Sequence, residues 1–370
     1  MSIYQQQTSL RGHSGAIYSL VATDDGKLLA SGGKDGTRIW DVQSRKQISR
    51  PAPPGIRGMT TAIAWANRPD EPGELLFFGT VAGYLVIWRQ VAGQQVFNEF
   101  WCRRLSQPSE ITGLAFDAVS NRIAVCNWNA LVQLWALPSS SDPQRIFSVC
   151  IANYIPKAIQ FGVMRGNERE LLIFGYNDGK IRTVTGNLAV DNASRPWEIG
   201  VRIGDATVDN RRTAVCIDDI DFGAVLYRLD DHQRVKTFHV PNEDKRPRQV
   251  RFVDDSKTIV IGSDHGVIYV FDRRTGIAID KLTVKGMGWI QTIATVDCNG
   301  IPTIFGAKSG DGLGQNDIIL WQKTAERLRS GAKVSEGILS GSILLALLAY
   351  AYYNREMLGE MIREKLANFN

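Results

Sequence analysis

Proton transfer and metal chemistry need histidine, cysteine or carboxylate side chains gathered at short spacing. This sequence offers few such groupings. Its four histidines, His13, His232, His239 and His265, are scattered. His232 and His239 flank a short run, "DHQRVKTFH", but no third ligand stands near them to complete a metal site. His265 lies in "SDHG" and reads as a solvated turn residue. The acidic pairs Asp24-Asp25, Asp218-Asp219 and Asp254-Asp255 fall at hairpin positions, where carboxylates form solvated turns more often than calcium sites. "SGDGLGQND", from Ser309 to Asp317, is glycine-rich, yet it lacks the Lys-Ser/Thr of a phosphate loop and opens no helix. It reads as a long loop. No Ser/His/Asp or Cys/His arrangement is visible, so an enzyme, a metal, a cofactor and a small-molecule substrate are all unexpected.

The bulk chemistry is equally plain. In 370 residues, 43 basic and 38 acidic groups leave a net charge of +5, too mild an excess to point to nucleic acid. Basic doublets fall in turns at both ends of the strand-like runs. Arg45-Lys46, Arg211-Arg212 and Arg273-Arg274 share one end; Arg103-Arg104 and Lys245-Arg246, with Arg248, share the other. Solvated turns account for them. The five cysteines are odd in number and contain no CxxC pair, which suits reduced structural thiols in an intracellular protein. "MSIYQQQTSLRGH" has no apolar core for a signal peptide, so the cytosol is the default compartment.

What must position these residues is a repeated hairpin. In "LLASGGKDGTRIWDV", Leu28 to Val42, two apolar runs flank Asp35-Gly36, a tight-turn signal because glycine takes positive φ without steric cost. The outgoing strand recurs seven times, at register positions Trp40, Trp88, Trp135, Val184, Arg228, Phe271 and Trp321. That is a period of 43 to 50 residues, and two further strand-like runs precede each register position.

On these residues the chain resembles the WD40-repeat family, seven-bladed β-propellers, over roughly residues 1–323. Blade 1 carries the full signature: Gly12-His13, Ser31, Asp35 and Trp40-Asp41. The resemblance implies that His13, Ser31, Asp35 and Trp40 form a buried hydrogen-bonded tetrad. The other blades have lost most of it. Blade 7 supplies only three strands before Trp321, and the unclaimed run "SIYQQQTSL", Ser2 to Leu10, is expected to be its outer strand and to close the ring. The fold class expected is all-β, a seven-bladed WD40-type propeller closed by the N-terminal strand, plus a C-terminal α-helix.

After the propeller the composition changes. Residues 324–336 are a charged connector, and "GILSGSILLALLAYAYY", Gly337 to Tyr353, has no charge in 17 residues. As a helix it would measure about 25 Å, near the lower limit for crossing a bilayer. Ile343, Leu344, Leu345, Leu347 and Leu348 help cover nearly its whole circumference, where a docked helix would keep a polar face. Residues 354–370 form a short amphipathic tail. The expectation is a tail-anchored, single-pass membrane protein with a cytosolic propeller. The alternative is a cytoplasmic scaffold subunit whose C-terminal helix packs into a partner complex.

The resemblance implies a rigid platform for protein partners. Docking is expected on the face that bears the entrances to the first strands, through Arg57, Arg103, Arg104, Tyr154, Trp197, Lys245, Arg246 and Trp289. Arginine and aromatic side chains are the types that most often anchor interfaces.

Overall fold

The structure, a computed structural model, describes residues 2–48, 55–68, 73–139, 142–185, 196–284, 286, 288–310 and 316–324. The 337–353 segment, including Gly337, Ile343, Leu344, Leu345, Leu347, Leu348 and Tyr353, lies outside the described residues, as does the 354–370 tail. Among the described residues no helix is long and apolar enough to cross a membrane.

The described strands form seven four-stranded antiparallel sheets, the blades of a propeller. Blade 1 is Ile17–Ala22, Leu28–Gly33, Gly36–Asp41 and Lys46–Ile48, in spatial as well as chain order. Blades 2 to 6 repeat this plan over 60–104, 111–150, 156–198, 203–239 and 250–283. First strands from all seven blades line one central channel. Second strands such as Leu28–Gly33 and Leu75–Thr80 are buried at every position, because a neighbouring blade covers each face. That is why they read as continuous apolar runs rather than alternating ones. Outermost strands such as Arg234–His239 are mostly exposed.

Blade 7 is Thr292–Cys298, Ile301–Ala307 and Asn316–Lys323, with Tyr4–His13 as its fourth strand. The pairing runs from Tyr4 opposite Lys323 to His13 opposite Asn316. Asp280, in the outermost strand of blade 6, accepts hydrogen bonds from Ser2 Oγ and from the amides of Ile3 and Tyr4, each at 2.7–2.8 Å. The first residues of the chain are therefore tied to blade 6 as well as to blade 7.

Each interface between blades is an apolar layer. Trp40 packs with Leu10, Phe305 and Leu320 of blade 7, and Trp88 packs with Ile39 and Ile48 of blade 1. In each case the register residue faces the preceding blade. In blade 5 that position belongs to Tyr227, which packs with Phe174 and Ile181 of blade 4. This corrects the assignment to Arg228, whose side chain is exposed. A β-bulge in the pairing with the outermost strand precedes Tyr227 as it precedes Trp88, Trp135 and Phe271, which marks Tyr227 as their equivalent. A one-residue slip in a strand exchanges its two faces.

Candidate protein-interaction surface

Antiparallel blades put the starts of all first strands, and the turns between second and third strands, on one face of the ring. That is the entrance face; the remaining turns make the exit face.

The blade 1 tetrad sits behind the entrance face. Trp40 Nε1 donates to Ser31 Oγ at 2.8 Å, Ser31 Oγ lies 2.7 Å from His13 Nε2, and His13 Nδ1 meets Asp35 Oδ1. One direction of donation, indole to hydroxyl to imidazole to carboxylate, satisfies every group. Burial works against ionisation of Asp35, but His13, Arg38 and the Ser14 amide together hold its carboxyl well below the usual range. His13, Ser31 and Trp40 are buried, so the chain of bonds offers no reactive group to solvent. It pins the end of the Tyr4–His13 strand to the second and third strands of blade 1.

Three of the expected docking residues come together on the entrance face. The Arg246 guanidinium lies 5.4 Å from the Trp289 ring centroid, and Trp289 Nε1 donates to Pro247 O at 2.9 Å. Lys245 pairs with Asp221 at 3.2 Å. Phe222, 60% exposed, stands in the adjoining turn of blade 5. The loop that carries Lys245 and Arg246 is fixed from below. Asp264 accepts the amides of Glu243 and Asp244 at 2.8 and 2.7 Å, and His265 bridges Asp264 to the Tyr269 hydroxyl, each at 2.9 Å. Burial opposes ionisation of Asp264, yet His265 and the two amides lower its pKa. His265 is thus a packed, bonded residue, not the solvated one that its turn sequence suggests.

A second group lies on blade 2. Arg57 pairs with Glu99, Arg103 sits over the rings of Trp101 and Trp135, and Arg104 lies 5.6 Å from the Tyr84 centroid. The remaining two expected residues do not belong with these. Tyr154 is buried, and its hydroxyl donates to the carbonyls of Ile173 and Lys180. Burial raises its pKa further above the ordinary value. Trp197 lies in the outermost strand of blade 4, stacked on His232 at 4.3 Å and edge-on to Tyr227. Both aromatics are used in packing.

Sequence reasoning missed a wholly buried charged contact. Asp218 and Arg248 are wholly buried, with Asp218 Oδ1 accepting from Arg248 Nε at 3.1 Å and Nη2 at 2.8 Å. Arg248 also donates to the carbonyl of Asp219 and to Asn242. Burial pushes the Asp218 carboxyl up to about 7 against the pull of Arg248. Asp218-Asp219 is therefore not a solvated turn: both lie in the strand Ala214–Asp219. The usable signal was the apolar run "TAVCI" immediately before them. Among the described residues, no three His, Cys, Asp or Glu side chains are placed to hold a metal ion.

The family comparison agrees with this geometry. Residues 4–41 match the family model "WD domain, G-beta repeat". The chain is a seven-bladed β-propeller that carries a WD40 repeat in blade 1. Among solved structures, the WD40 β-propeller domain of Doa1 is similar at a TM-score of 0.66 and 14% identity, covering 88% of this chain and 99% of that one. Raptor of Chaetomium thermophilum is similar at a TM-score of 0.69 and 16% identity, covering 87% of this chain and 29% of that one. At such identities the likeness is one of fold. Two curated relatives match over shorter stretches. "Telomerase protein component 1" of Rattus norvegicus is 30% identical over 101 residues, covering 25% of this chain. "Periodic tryptophan protein 2 homolog" of Schizosaccharomyces pombe is 36% identical over 88 residues, covering 24% of it. The matched stretches amount to 4% and 10% of those relatives' own lengths.

Proposed function

We propose that this WD40 propeller is a non-enzymatic scaffold that docks protein partners on its entrance face, centred on Lys245, Arg246, Trp289 and Phe222. The carrying observation is the preorganised loop. Asp264 and its neighbours hold Arg246 against Trp289 before any partner arrives, so little side-chain entropy remains to be lost on binding. A half-buried aromatic under an arginine is the composition typical of interface hot spots. Blade 2, with Arg57, Arg103 and Arg104, extends the surface. The test is affinity capture with the tagged full chain, comparing wild type with the R246A/W289A variant. Loss of hot-spot residues should reduce partner recovery by more than about tenfold. An unchanged partner set would refute this choice of face.

The scaffold proposal includes a membrane anchor at 337–353. Its support is the uncharged 17-residue sequence. Resistance of the full chain to alkaline carbonate extraction is the expected result. Placing arginine at Leu345 and Leu348 should cost roughly 2.5–3.5 kcal/mol each near a span centre and release the protein. If the wild type itself washes off, the segment is a partner-binding helix instead.

A further inference from the structure

On the exit face, blades 5 and 6 part to form an open groove of about 1090 Å³. Seven cationic side chains and three carboxylates line it. Two of the carboxylates are already engaged. Asp209 pairs with Arg273 at 3.0 Å and caps the amides of Thr213 and Ala214, and Asp272 accepts from the Thr275 hydroxyl and amide. Several cations are engaged as well. Lys236 Nζ donates to the Arg274 carbonyl, and Arg228 pairs with Asp231. Arg211, Lys257 and Arg274 are left exposed, and among the described residues none of the three side chains makes a hydrogen bond or ion pair. The floor between them is apolar: Ala214, Leu226 and the half-exposed Val235.

Such an arrangement is costly unless something covers it. Three unpaired cations around one groove repel one another, and Val235, half exposed beside them, leaves apolar surface open to water. We propose that this groove binds an extended acidic peptide segment carrying an apolar residue, its carboxylates meeting Arg211, Lys257 and Arg274 and its apolar side chain meeting Val235. Val235 lies in Arg234–His239, the outermost strand of blade 5, whose outer edge pairs with no strand among the described residues. An extended peptide beside that edge gains main-chain hydrogen bonds as well. Single-stranded nucleic acid fits less well, because no aromatic ring lines the groove for a base to stack on. An anionic bilayer fits less well too. The site is recessed, and Asp24, Asp25, Asp230 and Asp231 stand in turns of the same face and would repel a flat anionic surface. This surface is separate from the entrance face, and neither reading depends on the other.

The test uses the purified full chain and a fluorescein-labelled octapeptide, Glu-Glu-Leu-Glu-Glu-Leu-Glu-Glu, followed by anisotropy. Binding should weaken at least about tenfold in the R211E/K257E/R274E variant and fall with added salt. It should change less than about twofold in R45E/K46E, which reverses charge on blade 1 of the same face. Thermal melts establish that the variants are folded. A photo-crosslinking version of the peptide should label residues 234–239 in the wild type, which reads the site without any substitution. No binding, equal binding of the glutamine counterpart, or undiminished binding by the triple variant would each overturn the proposal. So would a preference for phosphatidylserine vesicles or for single-stranded RNA that the triple variant abolishes.

Discussion

Trp40 and Arg248 are among the largest side chains that the propeller buries completely, yet only one of them announced itself in the sequence. Trp40 is legible because its partners recur at family spacing and because an indole in an apolar strand already asks for burial. Arg248 is not, because nothing in "KRPRQV" distinguishes a buried arginine from its exposed neighbours. Its partner Asp218 lies thirty positions earlier, on a strand that only the closed fold brings alongside. The tetrad yields the residue-scale prediction. Trp40→Ala should cost about 3–5 kcal/mol, since it leaves a cavity and strips Ser31 of its donor. Asp35 adds a pH signature. Its folded pKa is depressed, so its contribution is complete above the unfolded value near pH 4 and is lost as pH falls through the folded one. Thermal melts of wild type and Asp35→Asn should therefore differ most at neutral pH and begin to converge only below about pH 4. A gap that stays constant through acid would mean that the Asp35 carboxylate does no such stabilising.

At the scale of elements, strands were easier to recognise than their registers. Apolar runs such as "LLASGG" and "LLFFGT" coincide with observed strands, because second strands are buried on both faces and tolerate little else. The blade 5 register was missed by one residue, because Tyr227 follows its turn glycine, Gly223, by four positions, where Trp88 and Phe271 follow Gly83 and Gly266 by five. The N-terminal strand, Tyr4–His13, makes the most consequential pairing. It hydrogen-bonds along Asn316–Lys323, its first amides reach Asp280 of blade 6, and its last residue enters the tetrad of blade 1. We propose that it acts as the clasp of the ring. Deleting residues 1–10 would expose the edge of Asn316–Lys323 and unpair Asp280, so aggregation or loss of a single cooperative unfolding transition is expected. Light scattering and calorimetry check this. A truncated chain that stays monomeric with a wild-type melt would remove the clasp.

Among the described strands, the substantial contacts between blades join neighbours, so stability is shared among seven interfaces, much as in a linear repeat array whose ends have been joined. Those interfaces are not alike. Between blades 7 and 1 the tetrad reinforces the apolar layer. Between blades 5 and 6, where the tetrad residues are missing, ion pairs run from one face to the other. Asp218 meets Arg248 near the entrance face, Asp205 meets Arg251 at the channel, and Asp209 meets Arg273 at the exit face. The first pair is the most informative, because both side chains are wholly buried. Taking two charges out of water costs as much as their attraction returns, but removing one partner leaves the other buried and unpaired. Arg248→Met alone should therefore cost about 3–5 kcal/mol, while Asp218→Leu with Arg248→Met should recover most of that loss. Denaturant melts of the single and double variants, taken as a double-mutant cycle, measure the coupling. Added salt should leave the wild-type pair almost unaffected, because burial shields it from screening. If the double variant is no more stable than the single one, the hydrogen bonds from Arg248 to the Asp219 carbonyl and to Asn242, rather than its charge, hold blades 5 and 6 together.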